Sequence, residues 1–255
     1  MIRGLYTSAL GMTTQMQRMD VTTNNLANVN TTGFRRERVA AQSFSEHMGL
    51  KIDDPGVLRM MDRMRVGNLN PGVFIDLVHT DFSEGSMRVT GNPLDVALQG
   101  SGFFVVNVEG EAEQRFTRDG MFTLTSEGVL VTNNGDRVQG LGGDIVIPNG
   151  IIIINENGQV MSNGVVIDTL MMVNFDDPQT LRQVGDNYFI TTPESVQVAF
   201  AGRVEQGMLE NSNVNVVREM VEMIALARAY DVNATMIQAH DQILQQAVTQ
   251  IAARA

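Results

Sequence analysis

Read from Val216 towards the C-terminus, apolar or small residues recur at Val216, Met220, Met223, Ala227, Tyr230, Ala234, Ile237, Leu244, Val248 and Ile251. The steps alternate between four and three, and only Asp241 interrupts them. An a/d alternation kept for about five heptads specifies a helix with a narrow apolar seam, as in a coiled coil. No Gly or Pro follows Gly207. A helix from residue 213 to the end would be about 60 Å long at about 1.5 Å per residue. A helix of that length with so narrow a stripe needs a partner.

The N-terminus carries a matching seam at Ile2, Leu5, Ala9, Met12, Met16, Met19, Thr23 and Leu26. The expectation is that the two ends pair, with Met12, Met16, Met19 and Leu26 against Met223, Ala227, Tyr230 and Ile237. Asp241 then reads as a register-setting polar residue on the seam. Asn28, Asn30, Thr31, Thr32 and Gly33 stop the first helix, since Gly33 can take positive φ. Asn213 or Asn215 is the expected cap of the last one.

Between the helices the period changes to two. Short apolar runs start at Val73–Val78 and continue to Val196–Phe200. They are punctuated by Asp119-Gly120, Asn134-Gly135, Asn149-Gly150, Asn157-Gly158 and Asn163-Gly164. Asn-Gly and Asp-Gly between such runs are hairpin signals, because type I′ turns need positive φ. Ile151–Ile154 is continuously apolar and is expected to be buried on both faces. Ile145–Ile147 is expected as a strand, and Val165–Phe175 as one long run. Asp177-Pro178 and Thr180 suggest a short helical turn. Phe34 to Met48 is compatible with helix or extended chain. Met60, Met61 and Met64 interleave with Arg59, Arg63 and Arg65, as an adaptable surface or a plain connector would.

The fold class expected is α+β: terminal helices pairing as a coiled coil, with an inserted antiparallel β-rich domain. The domains are a discontinuous helical one at 1–33 and 212–255, connectors at 34–80 and 201–211, and a β-rich domain at 81–200.

The chemistry is sparse. There is no Cys, which excludes disulfides, thiol nucleophiles and Cys-ligated metals. His47, His79 and His240 are scattered and lack metal-ligand spacing. Gly100-Ser101-Gly102 lacks the flanking glycines of a nucleophile elbow or dinucleotide loop. Asp176-Asp177 and Glu109, Glu111 and Glu113 do not have the spacing of a calcium loop. His240 and Asp241 are adjacent, so on a helix they diverge by about 100° and form no dyad. These residues point to no enzyme, no cofactor, no metal and no small-molecule substrate.

The formal net charge of −11 is uneven: residues 1–88 hold ten Lys/Arg against nine Asp/Glu, and residues 89–255 hold eight against twenty. An acidic chain without a basic face is a poor nucleic-acid binder. The small cluster Arg35, Arg36 and Arg38 is expected to meet a protein surface or solvent. No stretch reaches the roughly 18 apolar residues of a membrane span, so no membrane insertion is expected. No apolar h-region follows Arg3, so the chain is expected to lack a cleaved signal peptide.

Three blocks of sequence resemble the flagellar rod and hook family of axial proteins. One is Leu5-Tyr6-Thr7-Ser8-Ala9-Leu10-Gly11-Met12 with Asn24-Asn25-Leu26-Ala27-Asn28-Val29-Asn30-Thr31-Thr32-Gly33-Phe34. The second is Thr90-Gly91-Asn92-Pro93-Leu94-Asp95-Val96-Ala97-Leu98 with Gly102–Val106 and Phe116-Thr117-Arg118-Asp119-Gly120. The third is Gly207–Val214, with Glu219-Met220-Val221 and Arg228-Ala229-Tyr230-Asp231-Val232-Asn233. The resemblance implies a structural subunit of the basal-body rod, of the distal type by its middle motifs, polymerising into a helical tube. That tube would transmit torque from motor to hook and form part of an export channel. It implies export through the flagellar type III apparatus, which becomes a partner alongside further copies of the chain and other rod and hook subunits. It also implies location in the flagellar basal body. The expected assembly interface is Leu5, Met12, Met16, Met19, Asn24, Asn25, Leu26, Asn28, Met220, Met223, Ala227, Tyr230, Ala234, Ile237 and Leu244. A secreted β-rich binding protein or cell-wall hydrolase is the alternative from another class. A proximal rod or hook-type paralogue is the alternative within the family.

Overall fold

Hydrophobic periodicity places helices at the two ends and strands between them, and the structure follows that division. It is a computed structural model that describes residues 2–43, 73–108, 110, 113–148, 150–185 and 187–252. The Met and Arg cluster at 59–65 and His47 lie outside the described residues. Helix α1 spans Ile2–Ala27 and helix α2 spans Val216–Ala252, 37 residues without a break. Gly33 lies beyond the end of α1 with φ +67°.

The chain divides into two units. The first takes Met1–Leu26, Glu37–His79 and Val216–Ala255; the second takes Ala27–Arg36 and Thr80–Asn215. In the first unit, α1 and α2 are accompanied by a two-stranded ladder of β1 (Glu37–Ser43) and β2 (Val73–Thr80). The ambiguous stretch after Phe34 therefore resolves as extended, as far as Ser43.

The second unit is antiparallel β. Its first strands are β3 (Met87–Val89), β4 (Val96–Gln99), β5 (Phe103–Asn107), β6 (Gln114–Thr117), β7 (Phe122–Leu124) and β8 (Leu130–Thr132). Then come β9 (Arg137–Gly140), β10 (Gly143–Asp144), β11 (Ile152–Ile154), β12 (Gln159–Ser162), β13 (Val165–Thr169) and β14 (Met172–Phe175). A 3-10 turn at Pro178–Thr180, capped by the Asp177 side chain, leads to β15 (Arg182–Val184), β16 (Tyr188–Ile190) and β17 (Gln197–Ala199). Residues 203–210 close the unit as β18 (Arg203–Gln206) and β19 (Met208–Glu210). The largest sheet runs β15-β16-β6-β5-β9-β8-β7, with β10 on β9, β14 on β5 and β17 on β14. β18 pairs β4 and β19 pairs β3.

Strand β5 is buried on both faces, and alternation sends its side chains to two cores. Phe104 and Val106 join Val96, Leu98, Phe122, Leu130, Val138, Ile145 and Val204 in one. Phe103 and Val105 join Phe116, Phe175, Leu181 and Phe189 in the other. In the second core Phe103 stands edge-on to Phe175 at 5.9 Å, and Phe116 to Phe175 at 5.1 Å, the T-shaped geometry aromatic quadrupoles favour.

Three expectations for the strands need correction. Ile151–Ile154 is not buried on both faces: Ile154 is 5% exposed, but Ile153 is 43% and Ile151 73% exposed. The three-stranded sheet β11-β12-β13 covers the first core with one face only. Val165–Phe175 is two strands, because Leu170 leaves the ladder to bridge Gly140. Ile145–Ile147 forms no strand and touches the sheet through a single bridge, Val129 to Val146. The Asn163-Gly164 hairpin forms as expected, with φ of 52° and 82° joining β12 to β13.

Candidate assembly interface and buried junction

Within the first unit, α1 and α2 meet antiparallel in a fixed register. A Cβ on Gly4 would run into the His240 ring, and one on Gly11 would lie 3.1 Å from Asn233 Nδ2. Further along, Asn25 Nδ2 donates to Glu219 Oε2 at 3.4 Å. These contacts step in sevens or multiples of seven on both helices, running in opposite directions. On α2 the contact face includes Glu219 (1% exposed) and Leu226 (7%), with Met223, Tyr230, Asn233, Ile237, His240, Leu244 and Ala247 half-buried.

Half of the expected α2 seam therefore lies on this face: Met223, Tyr230, Ile237 and Leu244. The other half is displaced by one residue. Glu219, Leu226, Asn233 and His240 lie on the face beside Met220, Ala227, Ala234 and Asp241, of which Ala227 and Ala234 are also half-buried. Met220 is 48% exposed and Asp241 is exposed, so Asp241 sets no buried register here. On α1 the contacts fall at Gly4, Gly11 and Asn25, with Thr22 also buried. Leu5, Met12, Met19 and Leu26 are half-buried and Met16 is 50% exposed. The physical reason is size: glycine lets a neighbouring helix approach the backbone, and an apolar-only search passes over it. Asn24 is exposed, Asn28 is half-buried, and Asn28 Oδ1 accepts from Thr31 Oγ1 at 3.1 Å.

The face of α2 turned away from α1 is also apolar. Val217 (71% exposed), Val221 (62%) and Ile224 (55%) lie along it, and beyond Arg228 it continues with Val232 (62%), Met236 (52%) and Ile243 (51%). A helix apolar on two opposite faces belongs between two layers.

The second unit holds a buried junction of three chain segments. Glu210, at the end of β19, receives Arg35 Nη1 on Oε1 at 2.7 Å and Arg118 Nη1 on Oε2 at 3.3 Å. Its Oε1 also accepts the Gly85 N–H at 2.9 Å. Arg35 Nη1 donates to the Ser83 carbonyl at 2.8 Å, and Arg118 Nη2 to the Gly100 carbonyl at 2.6 Å. The Arg118 pKa is lowered to about 10, chiefly by burial and then by the Arg35 charge, with Glu210 and Glu84 opposing both. Around this centre the Gly33 N–H bonds the Glu210 carbonyl, the Arg36 N–H bonds Asn213 Oδ1, and Thr32 Oγ1 bonds Asp119. Burial pushes the Asp119 carboxyl up, and its hydrogen bond from Thr32 opposes the rise.

The expectation that Arg35, Arg36 and Arg38 face solvent or a protein surface holds only for Arg38. Arg35 is 1% and Arg36 6% exposed. The carboxylate that draws Arg35 inward lies far along the chain, out of reach of local charge patterning. Asn213 does not cap α2: its Nδ2 donates to the Asp81 and Ser83 carbonyls, and Asn215 directly precedes the helix. His79 is exposed, and no group of three or more acidic or His residues that could hold a metal occurs among the described residues. No described helix is long and apolar enough to cross a membrane.

Three stretches match known families. Residues 5–35 match the flagella basal body rod protein family, 97–166 the flagellar hook protein FlgE/F/G D1 domain, and 205–251 the flagellar basal body rod FlgEFG protein C-terminal family. The flagellar basal-body rod protein FlgG of Buchnera aphidicola subsp. Schizaphis graminum is 33% identical over 96% of this chain and 98% of its own length. The chain belongs to the flagellar basal-body rod protein family. The FlgG of Borreliella burgdorferi is also 33% identical, over 96% of this chain and 97% of its own. The FlgF of Caulobacter vibrioides is 33% identical over 93% of each.

This rod-family chain is thus a structural component of the flagellar basal body, from a family that is not one of enzymes. The matched segments coincide with the junction: Arg35 closes the first and Glu210 lies in the last, while Arg118 sits in the middle one. All three residues lie inside or beside the family motifs; Arg35 was expected at a surface, and Arg118 and Glu210 had no expected role.

Proposed function

We propose that the chain is a distal-type rod subunit that polymerises with further copies of itself into a helical tube. It associates there with other axial subunits, transmits torque, and lines part of an export channel. The type III apparatus delivers it. One observation carries the self-assembly reading: α2 keeps an apolar stripe from Val217 to Ile243 on the side away from α1. In this reading α1 and α2 form an antiparallel coiled-coil spoke. Neighbouring copies bury the stripe and the Leu5, Met12, Met16 and Met19 flank of α1. The residues expected at the interface then divide between contacts inside a subunit and contacts between subunits. Repeated heterologous contacts that do not close give a helical filament rather than a ring. The FlgG and FlgF relatives support a rod role, and a proximal rod or hook-type position is the competing assignment.

The test is the double substitution Val221→Glu with Val232→Glu, read by sedimentation and electron microscopy at rising concentration. Wild-type chain is expected to form filaments. The variant is expected to remain monomeric with its β unit still resistant to protease. Filaments from the variant at the wild-type threshold would remove the stripe from the interface.

A further inference from the structure

We propose that Glu210 is the closing element of the β unit, so that the unit cannot complete its fold until residues 203–210 have been made. This inference rests on the second unit alone and stands whether or not the chain polymerises.

Arg35 and Arg118 are 1% and 4% exposed, and each charge must be compensated where it is buried. Among the described residues, Glu210 is the carboxylate that ion-pairs with both. Without it two guanidinium groups face one another across the junction, and the Arg35 charge already depresses the Arg118 pKa with Glu210 in place. Their other hydrogen-bond acceptors at the junction are the carbonyls of Ser83, Leu98 and Gly100, which carry no net charge, and the Glu84 carboxylate acts on Arg118 only through its charge, more weakly than Glu210. A buried cation left without its anion is strongly destabilising.

The backbone makes the same demand. β18 pairs with β4 over four residues, and β19 with β3 over three. Val96, Ala97 and Leu98 of β4 are at most 1% exposed, and Val204 of β18 belongs to their core. Removing residues 203–210 would leave β4 with an open edge and the first core uncovered. Synthesis runs from the N-terminus, so Arg35 and Arg118 both precede their anion. The β unit therefore waits for residue 210.

Native-state hydrogen exchange on the full chain tests this. Amides of β18 and β19 are expected to share one opening free energy and one denaturant slope with those of β4, β5 and β6. Opening of residues 203–210 at lower cost, with β4 to β6 still protected, would overturn the proposal. A second measurement isolates the charge. Glu210→Gln in the full chain is expected to raise proteolysis of the β unit by about a hundredfold or more. Glu205→Gln, a carboxylate loss on the neighbouring strand, is expected to stay within about twofold of wild type. A Glu210→Gln protein as resistant as wild type, or a Glu205→Gln protein equally damaged, would show that the buried anion does not govern closure.

Discussion

Asn25 grips both backbone groups of Glu37. Its Oδ1 accepts the Glu37 N–H at 2.9 Å, and its Nδ2 donates to the Glu37 carbonyl at 2.8 Å. One side-chain amide thereby stands in for a missing strand neighbour at the start of β1, while also reaching Glu219 on α2.

Replacing Asn25 with Leu leaves both Glu37 backbone groups without that partner. The expected cost is about 2–4 kcal/mol, from about 1–3 kcal/mol per unsatisfied buried group. Asn25→Asp keeps the acceptor but turns a second carboxylate oxygen towards the Glu37 carbonyl and the Glu219 carboxylate. It should be the worse variant at neutral pH and recover as the pH falls. Urea unfolding followed by far-ultraviolet circular dichroism at two pH values distinguishes the two.

Gly33 combines φ +67° with a close approach, since a Cβ there would lie 2.5 Å from the Arg118 backbone carbon. Gly33→Ala must strain the backbone and displace main chain rather than a flexible side chain. A loss of about 2–4 kcal/mol is expected, beyond the roughly 1–2 kcal/mol of the left-handed conformation alone. Thermal unfolding of the β unit is the readout. By contrast, Gly11→Ala meets only the movable Asn233 amide at 3.1 Å and gains helix propensity, so it is expected within about 1 kcal/mol of wild type.

Phe104 is fully buried and stands edge-on to Phe122 at 5.1 Å. Phe104→Ala opens a cavity at the strand that feeds both cores, with an expected cost of about 3–5 kcal/mol. The loss should appear in the denaturant midpoint of the β unit.

Burial raises the Asp119 and Glu37 carboxyls above their usual range. A folded-state pKa above the unfolded one means that the folded chain binds more protons in that interval. The contribution of each group to stability is therefore fully present below the unfolded pKa and declines as the pH rises through the folded one. Asp119→Asn can still accept from Thr32 and should flatten this part of the profile. Denaturant midpoints of wild type and variant between mildly acidic and neutral pH check the sign.

Long-range order was legible where one physical signal dominated. The period of 3.6 over Val216–Ala252 and the period of two around Phe103–Asn107 each placed an element of the right type. The Asn163-Gly164 turn followed from positive φ alone. The α1–α2 register was half legible, because Gly4 and Gly11 contribute by being small and Asn25 by being polar, which an apolar pattern cannot register. Strands β18 and β19 were missed because Arg203 to Glu210 is short, half polar and broken by Gly207, and its pairing with β3 and β4 is set by tertiary context. The Arg35–Glu210 pair is the extreme case: neither residue is unusual locally, and only the fold brings them together.

The linkers at either end of the β unit are bonded to each other as well as to the unit itself. Gly33 meets Glu210 through the backbone, Arg35 meets it through a charge, and Arg36 meets Asn213. A pull entering along residues 27–36 therefore has a short route out through residues 210–215, across three bonds and around the sheets. The same route is tied to the sheets through Arg118, Asp119 and Asp81, so the β unit braces the crossing rather than carrying all of it.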